Sequence, residues 1–266
     1  MKTFQIILLA LFLSASNVMA QDTLYIYKAG SIAYKSAISA LDSVTVEKVY
    51  HPIGPVTDYD GNVYHTITIG TQTWMVENLR TTRYRNGDPI TNVTDNAAWA
   101  LLYQNGGTGA WCDYDNDPTN STKFGHLYNF YAVADARNIA PEGWHVATNA
   151  EWTTLANFLG GNTVAGGKLK ESGILNWADP DNGATWASPN TGATNQSGFT
   201  ARPGGYRDPS SGSFLGFPTV ANYWTATVHA TPSYGSWYRY IVNTDAVLVP
   251  NAYLKTSGFS VRCIMD

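Results

Sequence analysis

Residues 141–161 read PEGWHVATNAEWTTLANFLGG, and they define a strand followed by a helix. Pro141-Glu142-Gly143 is a turn signal, and Trp144 to Val146 is a short apolar strand. Thr148 is placed to accept a hydrogen bond from a first-turn amide. Glu151, three residues on, can reach back to the Thr148 amide, the reciprocal pair that opens a helix. Trp152, Leu155, Phe158 and Leu159 then predict one buried face. Gly160-Gly161 ends the helix, because glycine enters the left-handed conformation without steric cost.

On the N-terminal side of this unit, Asp58 to Asn62 carries an Asp-Gly turn signal. Val63 to Ile69 alternates apolar and polar residues, and Thr73 to Val76 follows a Gly-Thr-Gln turn, so the two predict a hairpin. Arg80, Arg83 and Arg85 read as solvated loop charge, with anion binding as the alternative. Residues 86–126 read mostly as loop. Asp113, Asp115 and Asp117 alternate like the opening of a calcium loop. That loop needs Gly at its sixth position and Glu at its twelfth; here they are Pro118 and Phe124. Calcium is the one metal this chain suggests, and an exposed Asp- and Asn-rich turn is the other reading. Leu127 to Asn138 predicts a helix.

On the C-terminal side, Gly166 to Lys170 reads as a connector without the phosphate-loop pattern. Residues 176–196 form a long loop holding Trp177 and Trp186. Four strands are expected after it, at Gly198–Ala201, Ala221–Thr227, Ser236–Val242 and Phe259–Ile264, in an antiparallel arrangement.

The start of the chain has a different character. Lys2, the apolar run Ile6 to Leu13 and Val18-Met19-Ala20 read as a secretory signal over residues 1–20. The run is too short to span a bilayer, which takes about 20 residues. Export is therefore expected, to an extracellular, periplasmic or outer-surface location. Residues 21–50 read as a small β-rich unit, with strands at Thr23–Lys28, Ile32–Tyr34 and Ser43–Val46 and a helical turn at Ser36–Leu41. Residues 51–55 read as a linker and 56–266 as the main domain. The net charge of −4 lacks the basic footprint of a nucleic-acid binder. No stretch is long enough to cross a membrane as a helix. Two cysteines, Cys112 and Cys263, favour a disulfide in an oxidising compartment; two free buried thiols are the alternative.

Seven pieces, in order, carry a resemblance: DYDGNVYHTITIGTQTWMVENLR, LYNFYAV, PEGWHVATNAEWTTLANFLGG, GGKLKES, SGFTARPGGYRD, YWTAT and GFSVRCIMD. Together they resemble the Fibrobacter succinogenes major paralogous domain family over roughly residues 56–266. That family is similar in turn to C-type-lectin-like domains, and especially to the version in formylglycine-generating enzymes. The resemblance implies an α+β domain with two helices, small antiparallel sheets and long loops. It does not carry an activity over. Formylglycine-generating enzymes hold copper with two nearby late cysteines, and here only Cys263 is late. Calcium-dependent lectins place Glu-Pro-Asn or Gln-Pro-Asp in the long loop and Trp-Asn-Asp later. This chain has Ser188-Pro189-Asn190 and Tyr223-Trp224-Thr225, which lack the acidic ligands.

Catalytic motifs are missing as well. There is no Gly-x-Ser-x-Gly elbow and no His-Glu-x-x-His helix, and the five histidines lack metal-ligand spacing. His145 reads as a hydrogen-bonded structural histidine. Aromatics in loops are the better lead, since sugar sites combine flat rings with a few polar groups. The candidate ligand-binding residues are Trp111, Trp186, Asn190, Tyr206, Arg207 and Trp237. The reading that follows is an exported, non-enzymatic module for glycan or protein at the cell surface. Alternatives are an enzyme with a loop-built pocket, or a structural or assembly component.

Overall fold

The computed structural model describes residues 23–28, 31–37, 54–175, 183–231 and 235–266. The chain divides into two units, 1–49 and 50–266. In the first, β1 (Thr23–Lys28) and β2 (Ser31–Ala37) pair antiparallel, with Thr23 opposite Ala37. The expected signal at 1–20, the strand at 43–46 and Trp177 lie outside the described residues; of the helical turn expected at 36–41, Ser36 and Ala37 instead end β2.

The second unit is α+β. Its central sheet has four antiparallel strands: β3 (Thr66–Ile69), β4 (Gln72–Met75), β5 (Trp144–Val146) and β9 (Cys263–Met265), in the order β5-β9-β4-β3. The hairpin at 66–75 and the last strand of the domain thus share one sheet, with Ile264 opposite Trp74 and His145 opposite Ile264. A second sheet is built from β6 (Val220–Val228), β7 (Ser236–Val242) and β8 (Val249–Tyr253), also antiparallel. A third joins 91–92, 110–112 and 127–128.

Helix α1 (Asn149–Phe158) starts as its sequence dictates. Thr148 Oγ1 accepts from the Glu151 N–H at 3.3 Å, and Glu151 Oε2 accepts from the Thr148 N–H at 2.7 Å. Its buried face is Trp152, Leu155, Ala156 and Leu159, while Phe158 is 40% exposed. Successive residues turn by 100° in a helix, so Ala156 and Leu159 continue the Trp152–Leu155 stripe and Phe158 falls beside it, over Gly70. After two glycines with positive φ comes α2 (Asn162–Leu169), where the sequence predicts only a connector. Gly166 and Gly167 lower helix propensity, yet both are needed: a Cβ on either would lie 2.4 Å from a backbone oxygen, of Val247 or of Gly192. Buried Lys170, just after α2, donates from Nζ to Thr191 O, Val242 O and Asp245 O at 2.8–3.0 Å. It thereby ties the loop before residue 197 to the β7–β8 connection.

Several other expectations are corrected. The helix at 127–138 is a strand, Leu127–Tyr128, followed by one helical turn, Phe130–Val133. Asn129 separates them, because its Oδ1 accepts from both Ala110 N and Ala132 N at 3.0 Å. Residues 198–201 form no strand; Ala201 makes only a bridge to Lys170, and Thr200 sits at φ 55°. The final strand is confined to Cys263–Met265.

The disulfide is also corrected: Cys112 and Cys263 are both unpaired and buried. Cys112 packs with Trp99, Ala110, Tyr114 and Leu127. Cys263 lies opposite Val146 in the central sheet, within a different cluster built around Tyr128, Trp144 and Trp224. Each side chain points into its own core. Burial pushes both thiols up to about 12, the opposite of a reactive cysteine.

Candidate functional site: an aromatic face of the second sheet

Side chains alternate across a strand, and in the second sheet the alternation sorts two surfaces. Ala221, Tyr223, Arg239 and Ile241 face the core beneath α1. Arg239 donates there to Asn149 O at 3.0 Å, Asn149 Oδ1 at 2.8 Å and Thr153 Oγ1 at 2.8 Å. Val220, Asn222, Tyr238, Tyr240, Asn251 and Tyr253 line the other surface, together with Tyr206 and Phe259, as a groove of about 230 Å³. The register sets its pattern: Asn222 lies opposite Tyr240, and Tyr238 lies between Trp224 and Asn251.

The rings form a continuous array. Tyr238 and Tyr240 are stacked with centroids 5.8 Å apart, Tyr238 and Phe259 are 4.7 Å apart, and Tyr206 meets Phe259 edge-on at 6.2 Å. Tyr253 completes the rim at 40% exposure and is stacked over Phe259 at 6.5 Å. Buried Trp224 supports Phe259 from behind at 4.5 Å, and Phe130 supports Trp224 at 5.4 Å. Burial, reinforced by Tyr240, pushes the Tyr238 phenol up to about 12 although Asn251 hydrogen-bonds it. Burial and the neighbouring Tyr253 and Asp208 also raise Tyr206. Both hydroxyls are therefore protonated at neutral pH and can donate as well as accept.

Asn222 is the polar centre of this face. It is 5% exposed, and among the described residues its side-chain amide has no hydrogen-bond partner. Its amide atoms remain open to solvent at the surface of the groove.

The structure brings one of the sequence-predicted ligand-binding residues, Tyr206, into the groove. Trp186 is fully buried and donates from Nε1 to Ala201 O at 2.8 Å. Asn190 is buried at φ 43° and donates to Glu171 O at 3.0 Å and Gly173 O at 2.6 Å. Arg207 is fully buried; it donates to Gly212 O, Val93 O, Thr94 O and Asn96 Oδ1, with its guanidinium 4.5 Å from the Trp99 ring. Trp111 donates to Ile90 O at 3.0 Å and packs tilted against His126, with ring centroids 4.1 Å apart. Trp237 is on the opposite side of β7 from Tyr238, beside His229. The aspartates do not converge: Asp113 meets His126 Nδ1 at 2.8 Å, Asp115 takes φ 56°, and Asp117 Oδ1 accepts from the Thr119 amide at 2.9 Å. No three His, Cys, Asp or Glu side chains gather as metal ligands among the described residues. The two buried cysteines, in separate clusters, do not fit a two-thiolate copper centre.

The sequence-predicted ligand-binding residues omit Asn222, Tyr238, Tyr240, Asn251 and Tyr253. In Ser236–Val242 aromatic residues fall on both sides of the strand, so the pattern did not single out Tyr238 and Tyr240. Nothing local distinguished the other three.

A larger cavity of about 670 Å³ lies between Leu101, Tyr103, Tyr131, Pro209 and Leu254. Its cation, Lys255, sits 5.8 Å from the Phe130 ring. It lacks the convergence of rings on a buried polar group that marks the smaller groove.

The second unit is thus an α+β domain with a tyrosine-lined sheet face. Residues 67–265 match the model of the Fibrobacter succinogenes major domain, and the chain belongs to that family. No curated protein and no solved structure matches it. No described helix is long and apolar enough to cross a membrane.

Proposed function

We propose that the protein is an exported, C-type-lectin-like binding module that takes a glycan on the aromatic face of the second sheet. The observation that carries this reading is the ring of tyrosines, Tyr206, Tyr238, Tyr240 and Tyr253, around an Asn222 amide that is open to the groove and that no described residue hydrogen-bonds. Sugar rings offer flat C–H faces to aromatic rings and paired hydroxyls to an amide, and ligand sites commonly combine apolar walls with a few fixed polar groups. A protein-binding hot spot draws on Trp, Tyr and Arg anchors. No Arg lines this groove, and its two tryptophan neighbours face away or lie beneath. The lectin-like assignment is supported by the meeting of the 66–75 hairpin and the last strand in one sheet, and by the helix pair that follows β5 in the chain. Export rests on residues 1–20.

Glycan arrays probed with the wild type and with a Tyr238→Ala, Tyr240→Ala double variant test this. Binding by the wild type and its loss in a folded double variant are expected. An empty array, together with a cell-surface protein captured by the wild type and lost in the same variant, would transfer the face to a protein partner.

A further inference from the structure

Resting on that glycan reading, we propose that the ligand is an uncharged polysaccharide, gripped through the interior of its chain and without a bridging metal ion. Three features of the groove carry this.

The first is charge. Asn222, Asn251 and the tyrosine hydroxyls are the polar groups of the lining, and no acid or base is among the residues that form it. Asp208, whose charge reaches Tyr206, is occupied by the Ser210 and Ser211 amides at 3.0 and 2.8 Å and by the Ser211 hydroxyl at 2.9 Å. A uronate or sulfate entering the groove would lose water and meet no cation, which is unfavourable. Hydroxyl groups lose little, because neutral amides and phenols return their hydrogen bonds.

The second is the missing metal route. A cation that bridges sugar hydroxyls needs several hard oxygen ligands, usually carboxylates, and the lining contains none. Recognition then falls to the Asn222 and Asn251 amides.

The third is shape. Pockets that enclose a small molecule hold about 300–1,000 Å³, and this groove, at about 230 Å³, is smaller. Its rings recur at 5.8 Å between Tyr240 and Tyr238, 4.7 Å on to Phe259 and 6.2 Å on to Tyr206. Those are ordinary distances between packed rings, and a groove too small to enclose a sugar lets a polysaccharide lie across the tyrosines with its chain continuing on both sides. Phe259 is the buried floor and the tyrosines are the contact surface.

Affinity electrophoresis of the folded protein tests the proposal. The gels carry hydroxyethyl cellulose, glucomannan or arabinoxylan as neutral probes, and polygalacturonate or alginate as acidic ones, each with and without EDTA and at low and high salt. Retardation in at least one neutral gel is expected, unchanged by EDTA or salt. Calorimetry with oligosaccharides of that glycan should show affinity rising about tenfold or more from disaccharide to tetrasaccharide. Tyr238→Ala should abolish retardation. Tyr253→Ala, at the exposed rim, should weaken it and guards against misfolding of the first variant. Retardation only in acidic gels, abolition by EDTA, or equal affinity for the disaccharide and tetrasaccharide would overturn the inference and leave the glycan reading standing. Retardation in no gel, with an empty array, would overturn both.

Discussion

At the scale of single residues, the domain uses polar side chains as clamps, and the Asn222 amide stands apart from them. His145 is a clamp: its Nδ1 lies 2.6 Å from Asp266 Oδ1 and its Nε2 lies 2.8 Å from Glu151 Oε1. It therefore links the capping box of α1 to the residue after β9. Burial lowers its pKa, but hydrogen bonds to Asp266 and Glu151 outweigh burial, and the net shift is upward. The folded state thus holds the proton more tightly than the unfolded state. The resulting stability is fully present below the unfolded value of about 6.5 and is lost as pH rises through the folded value. The site is part-exposed, so its contribution is small, about 0.5 kcal/mol. Urea unfolding of wild type and His145→Asn should differ by about that amount near pH 5.5 and converge near pH 9. An unchanging difference across this range would refute the clamp. Asn222 is the contrasting case, since no described residue satisfies its amide.

At the scale of elements, close backbone approach explains what propensity does not. Ala normally stabilises a helix over Gly by about 1 kcal/mol. Gly166→Ala and Gly167→Ala should each destabilise by about 1–3 kcal/mol instead, because the new methyl would meet a backbone oxygen at 2.4 Å. Urea midpoints measure this, and a stabilised variant would contradict the packing of α2 against 246–247 and 192. The same glycines explain why α2 was illegible in the sequence. In contrast, α1 was legible because Thr148, Glu151 and Gly160 are local signals, and β6 and β7 because their long aromatic runs are bounded by turns. Strand β8 was hidden by Pro250, which tolerates its place because β8 is at the sheet edge. The expected disulfide failed for a different reason: an even cysteine count says nothing about which core each thiol enters.

At the scale of the whole molecule, the candidate site is assembled from parts distant in sequence. Tyr206 comes from a short hairpin, Asn222 from β6, Tyr238 and Tyr240 from β7, and Asn251 and Tyr253 from β8. Tryptophan and tyrosine occupy both sides of β7, so the sequence revealed aromatic wealth without its direction. Trp237 and Tyr238, adjacent in the chain, end on opposite surfaces. The loop aromatics that attracted attention, Trp111 and Trp186, are fixed by Ile90 O and Ala201 O and support the fold. The proposed ligand site is the sheet face, and titration tests its location directly. Backbone amide shifts should be followed by NMR during titration with a neutral tetrasaccharide chosen from the glycan that retards the protein most. The largest changes are expected at Tyr206, Asn222, Tyr238–Tyr240 and Asn251–Tyr253. Changes centred on Leu101, Tyr103 and Leu254, or no changes at all, would contradict the proposed site.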